Sequence, residues 1–459
     1  MITLGAILKQ MREDKHLSLQ EVSASSGIDS TLLSKFENGK RIASTEQVIT
    51  LSKIYDFNDA ATLLIQRQSD EIVSKLNLSD SETALQILHA AEEKVVYGSR
   101  YLSLFMEAIY SKPISLESRR YIGSKAKLIS WIMDIINSET KNVHSFFDVF
   151  AGTGVVTKAA LSSFDYVYTN DFLHSNNIIY KAFFSDGEFD NYKIGDYLDR
   201  YNEIDSDSLP ENYFSKNYGG KYFEHGVAKL IGYIRQDIED KKGGLTEKEY
   251  YILLATLIYN IDKLANTVGH FDAYIKKPIR HQPLHLRMIE AESYENIEIF
   301  KSDSNELARN VEADIAYIDP PYNSRQYCRF YHVYETLIKW DKPKLYGVAL
   351  KPAPENMSRY CTSRAVDAFE DLIFNLNVKY IAVSYNNTYN SKSSSSENKI
   401  TLEQIKSILD KCGNTKVYES SHRFFNTGKT DFSDHKELLF ITEVDEEKKS
   451  KSFPSILCW

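Results

Sequence analysis

Over the first 57 residues apolar positions recur at helical spacing: Leu4, Ile7, Leu8 and Met11, then Leu19 and Val22, then Leu32, Leu33 and Phe36, then Val48, Leu51 and Ile54. The spacing predicts four or five short helices, with Ser18 as a cap, Gly27 at a tight turn and another helix opening near Ser30. From Asn58 to about Pro113 the pattern stays helical and mostly polar, with SETALQILHAAEEKVV as its clearest amphipathic stretch, and reads as a connector. Past Arg119 the pattern changes. An apolar helical run, KLISWIMDII, is followed by short strand-like runs ending in FFDVF, YVYTND, FKSD, DIAYID and KYIAVSYNN. Strands alternating with helices predict an α/β sheet.

One of those runs is followed by chemistry. In DIAYIDPPYNSRQY, Asp314 to Tyr327, the apolar stretch stops at Asp319, and two prolines forbid any continuation of a ladder. Open α/β sheets hold ligands at the carboxyl ends of their strands. The rigid Pro320-Pro321 pair fixes a backbone carbonyl beside the Asp319 carboxylate, so two acceptors face one donor pair. The exocyclic amino group of a nucleobase is such a pair, and accepting both hydrogens frees its lone pair for attack. Tyr322 offers an aromatic face on which an extruded base stacks.

That reading requires a donor site upstream. RRYIGSKAKLISWIMDII sets a basic, Gly-containing turn before an apolar helix, where backbone amides and Lys125 can hold a carboxylate. FFDVFAGTGVVTKAAL then gives strand, Gly-spaced loop and helix, with Gly152 and Gly154 admitting close backbone approach. Asp171, twenty-three residues after Asp148, ends the next strand-like run, where a carboxylate can accept both hydroxyls of a ribose. An adenosine-containing cofactor is indicated.

Composition adds limits. At 459 residues and 42% hydrophobic content the chain supports two or three domains with real cores. The four cysteines (Cys328, Cys361, Cys412, Cys458) are far apart, with no CxxC, so neither a zinc site nor a disulfide framework is expected, and a reducing cytoplasm fits best. No run of about 18 apolar residues suggests a membrane span. The net charge of −9 argues against a protein that coats nucleic acid, although a local basic groove is compatible with it.

Taken together, YIGSK, DVFAGTG, the acidic end of YVYTND, and DPPYNSRQY followed by YHVYETL resemble the D12-class (alpha-group) adenine-N6 DNA methyltransferases over residues 119 to 442. The resemblance implies a Rossmann-like S-adenosylmethionine-dependent methyltransferase sheet carrying an inserted helical target-recognition region. It implies Tyr121 and Lys125 at the methionine end of S-adenosylmethionine, Asp148, Phe150, Gly152 and Gly154 in the cofactor loop, Asp171 at the ribose and Asp303 by the cofactor's adenine. Asp319, Pro320 and Tyr322 hold the target adenine in this scheme, with Tyr385 and Asn386 of the SYN element near the pocket. KELLFIT reads as a closing strand. The Ser- and Asn-rich NNTYNSKSSSS is a departure, since family members often have a glycine there.

SLQEVSASSGIDSTLLSKFENGKR resembles the Cro/C1 repressor family, an all-α helix-turn-helix domain. The resemblance turns Ser30, Thr31, Ser34 and Lys35 of its second helix towards the DNA major groove. Residues 1 to 57 hold seven Lys/Arg and seven Asp/Glu, so a protein-interaction module stands as the alternative. The insertion gathers Lys276, Lys277, Arg280 and Arg287 in KKPIRHQPLHLR, the best phosphate-facing candidate. The expected layout is 1–66 helix-turn-helix, 67–115 connector, 116–184 and 296–445 catalytic domain, 185–295 target recognition and 446–459 a loose, charged tail.

The function expected is methylation of a flipped adenine in double-stranded DNA, without a metal. The expected setting is a restriction-modification system with a cognate endonuclease encoded nearby. N4-cytosine or RNA adenine methylation, and a transcription regulator with secondary methyltransferase activity, stand as alternatives.

Overall fold

The computed structural model describes residues 3–55, 57, 63, 64, 66–68, 70, 71, 113–276, 278, 279, 282–387, 398–420 and 436–452. The chain divides into two units, Met1–Lys112 and Pro113–Trp459.

The first unit contains α1 (Leu4–Asp14), α2 (Leu19–Ser26), α3 (Ser30–Glu37) and α4 (Thr45–Ile54). Ser18 and Glu21 form a reciprocal capping box at α2, and Gly27 ends that helix at φ +69°, a conformation that favours glycine. Asp29 caps α3 by accepting from the Thr31 and Leu32 amides. Leu4, Leu8, Val22, Leu33, Phe36 and Val48 fill the core. A two-pronged ion pair, Arg12 Nε to Glu37 Oε1 at 2.6 Å and Nη2 to Oε2 at 2.9 Å, ties α1 to the end of α3.

The packing continues past the boundary expected at residue 66. Leu4 N donates to Asp70 Oδ2 at 2.6 Å, Arg67 Nε donates to the Ala43 carbonyl at 2.8 Å, and Leu63 is buried. The physical reason lies in α1, whose first-turn amides have no intrahelical acceptor and find one in Asp70. The amphipathic stretch SETALQILHAAEEKVV lies outside the described residues.

The second unit is built on a seven-stranded sheet in the order β3-β2-β1-β4-β5-β7-β6. The strands are β1 Ser145–Asp148, β2 Tyr166–Asn170, β3 Ile297–Phe300, β4 Glu312–Ile318, β5 Asn377–Asn386, β6 Gly413–Ser420 and β7 Glu437–Val444. The first five are parallel, and β7 runs antiparallel between β5 and β6. Side chains alternate with a period of two. Phe146, Ile315 and Tyr317 face one core, and Phe147, Ala316 and Ile318 face the other. Both faces are covered by helices, as a mainly parallel sheet requires. Strand order reverses between β1 and β4, which opens a crevice at their carboxyl ends.

The stretch expected as a recognition insertion carries helices Asn191–Asn202, Tyr213–Tyr218, His225–Asp240 and Glu247–Asp262. Glu247–Asp262 is buried along nearly all its length and packs on His174–Phe184. These helices share one apolar core with the sheet face bearing Phe146 and Tyr317.

The carboxyl-terminal charges behave differently from expectation. Glu446–Ser452 is a helix, not a loose tail. Asp445 Oδ1 accepts from the Lys448 amide at 3.0 Å, Lys448 Nζ donates to Gly413 O at 2.7 Å, and the buried Lys449 Nζ donates to Leu376 O at 2.6 Å. Strand and helix ends leave carbonyls unpaired, and these lysines satisfy them. Cys328, Cys361 and Cys412 are buried free thiols. Among the described residues, no helix is long and apolar enough to cross a membrane.

Candidate active site

The cleft is made by loops at the carboxyl ends of the parallel strands. After β1 the chain is pinned on both sides: Val149 N donates to Tyr317 O of β4 at 3.0 Å, and Ala151 N to Asn170 O of β2 at 2.9 Å. Gly152 and Gly154 then adopt φ of +53° and +79°. A Cβ at Gly154 would stand 3.1 Å from the Tyr180 ring, so only glycine fits beneath that tyrosine. Tyr180 in turn donates its hydroxyl to Gly152 O at 2.7 Å. Asp171 accepts from Gly152 N at 3.0 Å and from Leu173 N at 2.8 Å, so its first duty is to hold the glycine loop. Asn170, which sequence reasoning passed over, joins three loops by bonding the Val149 carbonyl and both backbone groups of Ser302.

Across the crevice β4 delivers Asp319. Lys125 Nζ sits 3.2 Å from Asp319 Oδ1 and 3.5 Å from Glu437 Oε2 at the start of β7. It also donates to the Tyr322 hydroxyl, which donates to Asp319 Oδ1. Burial pushes the Asp319 carboxyl up to about 6, against the pull of the Lys125 charge and the Tyr322 hydroxyl. Burial alone would lower the Lys125 ammonium, but Asp319 and Glu437 outweigh it and leave that pKa above its usual value. The Tyr322 ring meets Tyr385 edge-on, with centroids 4.8 Å apart, and Lys125 Nζ lies 5.0 Å from the Tyr322 centroid. Tyr322 is therefore held by its hydroxyl as well as by its ring.

Two further walls close the site. Phe150 and Tyr360 meet edge-to-face at 5.1 Å, and the Tyr360 hydroxyl donates to Asn305 Oδ1 at 3.0 Å. Gln326 clasps the Ser358 backbone through both amide atoms, at 2.9 and 2.8 Å, tying the segment after Pro320-Pro321 to the Tyr360 wall. Tyr121, which also lines the cleft, stacks on Tyr331 at 4.6 Å and 9°. At the floor, Asp148 is 1% exposed. Its Oδ2 accepts from Thr157 Oγ1 at 2.7 Å, while Oδ1 has no hydrogen-bond partner among the described residues. Burial raises Asp148 to about 7, with the charges of Asp319 and Asp171 adding to the shift and the Thr157 bond opposing it.

All the residues expected at the catalytic and cofactor sites except Gly154 line this one cleft, which encloses roughly 970 Å³ including its open mouth. Asp303 lines it while capping helix Ser304–Leu307, and lies 3.5 Å from Arg359 Nη2. Tyr385 and Asn386 are not among the described lining residues, and Tyr385 instead backs Tyr322. Tyr360, Ser358 and Gln326 line the cleft and escaped the sequence reading. Lys276 is exposed, and Lys277 and Arg280 lie outside the described residues. Arg287 is half-buried, its backbone clamped by the Asn260 side chain. In the first unit Thr31 and Lys35 are exposed on α3, and Ser30 and Ser34 are half-buried. Among the described residues no cluster of His, Cys, Asp and Glu could hold a metal ion.

Comparison with known proteins agrees with this geometry. The model of D12 class N6 adenine-specific DNA methyltransferases matches residues 121–387, and a helix-turn-helix model matches residues 8–59. Type II methyltransferase M.NlaIII of Neisseria lactamica is 31% identical over 349 residues, which cover 70% of this chain and 98% of the relative. Type II methyltransferase M.CviAII of Paramecium bursaria Chlorella virus 1 is 29% identical over 345 residues, or 71% and 98% of the two chains. Type II methyltransferase M.FokI of Planomicrobium okeanokoites is 32% identical over 351 residues, 71% of this chain but 53% of that longer relative. With the glycine loop, Lys125 and the Asp319 corner gathered in one cleft, the chain belongs to the D12 class of N6 adenine-specific DNA methyltransferases, here joined to an N-terminal helix-turn-helix domain.

Proposed function

We propose that the protein methylates the N6 amine of an adenine flipped out of duplex DNA, using S-adenosylmethionine. The observation that carries the reading is the convergence of the Gly152 loop and Asp319 on one cleft, with Lys125 beside Asp319. The cleft suits the cofactor: Phe150 and Tyr360 offer aromatic surface to a purine, and the unpartnered Asp148 Oδ1 calls for a donor. Asp303 stands near the same aromatic wall, and Asp171, which already accepts from the Gly152 and Leu173 amides and the Asn176 side chain, keeps one lone pair for a ribose hydroxyl. Tyr121 and Lys125 line the same cleft. S-adenosylmethionine supplies an electrophilic methyl group.

The chain's own residues do the rest. Asp319 and the Pro320 carbonyl accept the two N6 hydrogens, which localises the nitrogen lone pair, and these bonds strengthen as the nitrogen becomes tetrahedral and positively charged. Asp319, or solvent through it, then takes the proton that N6 sheds. Tyr322 and its Tyr385 support present the aromatic edge of the base pocket. The relatives named Modification methylase LlaI and StsI support a place in a restriction-modification system with a partner endonuclease.

The test is incubation of the protein with duplex DNA and labelled S-adenosylmethionine, followed by nucleoside mass spectrometry. N6-methyladenine is expected; label in N4-methylcytosine, label only with RNA, or none at all overturns the reading.

A second activity follows from α3, whose capped helix exposes Thr31 and Lys35. The domain is read as a repressor that binds an operator upstream of its own gene, with target recognition assigned in the same reading to the insertion. An electrophoretic shift of the native promoter fragment, but not of a scrambled one, tests it.

A further inference from the structure

Glu437 is the acid of the Lys125 cluster to which sequence reasoning assigned no chemistry, KELLFIT being read only as a strand. It enters through topology. Because β7 is antiparallel to β5, its first residue lies at the edge where β5 and the other parallel strands end. The register fixes it there: Glu437 pairs with Asn386, while Asn387 N donates to Lys436 O at 3.2 Å and Lys436 N donates to Asn387 Oδ1 at 2.9 Å. The side chain is 6% exposed and its Oε2 lies 3.5 Å from Lys125 Nζ. Asp319 reaches the same ammonium from the other side at 3.2 Å.

We propose that Glu437 is a positioning residue for methyl transfer: it shares the Lys125 ammonium with Asp319, so that the Asp319 carboxylate is less fully neutralised and is the stronger hydrogen-bond acceptor for the target amine. The inference rests on the methyltransferase reading above. A buried carboxylate paired one-to-one with an ammonium is nearly neutralised and accepts hydrogen bonds weakly. A second carboxylate on the same ammonium restores the imbalance. That imbalance is useful when N6 becomes cationic, because the negative field is already in place and need not reorganise.

Other ionisable groups face Asp319 as well. Asp148 approaches from β1 and adds negative charge, and Lys125 adds positive charge from the loop before helix Ile129–Glu139. The phenols of Tyr317, Tyr322, Tyr327 and Tyr385 stay neutral, because burial pushes each above its ordinary range. Of the neighbouring acids, only Glu437 acts through the ammonium that Asp319 also uses.

The test is Glu437→Gln, compared with Glu437→Asp. For Glu437→Gln the acidic limb of the pH–rate profile should move down by about half to one pH unit, and kcat should fall roughly tenfold or more. Affinities for S-adenosylmethionine and DNA should stay within about threefold. Glu437→Asp withdraws the carboxylate by one methylene and should give smaller changes in the same direction. Independently of turnover, the Asp319 side-chain carbon resonance of selectively labelled protein, identified by its loss in Asp319→Asn, should titrate at lower pH in Glu437→Gln. An unmoved limb or unmoved titration in either variant overturns the proposal, even if kcat drops. Wild-type protein that makes no N6-methyladenine would overturn the functional reading instead, leaving the carboxyl titration to judge Glu437 alone.

Discussion

Lys125 and Tyr322 act on the same oxygen of Asp319: the ammonium lies 3.2 Å from Oδ1, and the hydroxyl donates to it. The sequence offered Tyr322 as an aromatic face for stacking, a role that needs the ring more than the hydroxyl. With the hydroxyl inside the network, Tyr322→Phe removes a bond to a buried charged group, worth about 1.5 to 3 kcal/mol. We expect kcat to fall roughly 10- to 100-fold, with Tyr322→Ala lower still. Single-turnover rates at saturating DNA check it; a Phe variant equal to wild type would mean that only the ring matters.

The raised pKa of Asp319 sets a pH dependence. Asp319 accepts its share of the amine hydrogens, beside the Pro320 carbonyl, as the ionised carboxylate, so kcat/KM should fall below about pH 6, by tenfold per pH unit, as the carboxyl becomes protonated. The limb belongs to the coupled Lys125, Asp319 and Glu437 cluster and is read as one apparent value. Activity that is flat from pH 7 down to 5 would contradict this environment.

Asp319 and Asp171 should separate the two halves of the reaction. Asp319→Ala is expected to lose methylation at least a thousandfold while binding S-adenosylmethionine within about threefold of wild type. Asp171→Ala frees the Gly152 amide and should lose cofactor affinity first. Equilibrium binding by calorimetry distinguishes them, and an equal loss of affinity in both would end the division of roles.

Asp148 predicts a stability change with a definite sign. Its folded-state value of about 7 lies above the ordinary 3.8, so folding favours the neutral acid. That advantage is complete below pH 3.8 and is lost as pH rises through 7. Asp148→Asn is always neutral and should be more stable than wild type at pH 8, by roughly 2 to 4 kcal/mol, with the gain vanishing near pH 4. Chemical denaturation at the two pH values measures it; equal stability at pH 8 counts against a strained buried charge.

The helix-turn-helix domain should be separable from catalysis. Replacing the exposed Thr31 and Lys35 by Ala removes the Thr31 side-chain bond to Asp29 but keeps the backbone bonds of the α3 cap and the core. Methylation rate and target site should stay within about twofold, while binding to the native promoter should drop at least tenfold. Loss of methylation with unchanged promoter binding would assign the domain to the enzyme's own grip on DNA.

Where a turn is written in contiguous residues, its place at the cleft was readable from the sequence. Asp319-Pro320-Pro321-Tyr322 and the Gly152 loop were legible because prolines and glycines fix backbone direction locally. Ser18 and Gly27 were legible for the same reason. Glu437, Tyr360 and Gln326 were not, since their partners lie on other strands and loops and no local pattern records the meeting. Asn170 looked like one polar residue before an acid, yet its amide joins three loops. The charged tail was misjudged because charge density says nothing about carbonyls elsewhere that need donors, and Lys449 meets one at Leu376.

The burial of helix Glu247–Asp262 bears on whether the segment 185–295 can be exchanged. A module standing apart from its scaffold can be swapped whole, like a tool head. Here Glu247–Asp262 is also the packing partner of His174–Phe184, whose Tyr180 steadies the Gly152 loop. A graft cut at residues 185 and 295 would remove the packing partner of the helix that carries Tyr180, so changes to the segment are tolerated at its surface positions and not on its inner face.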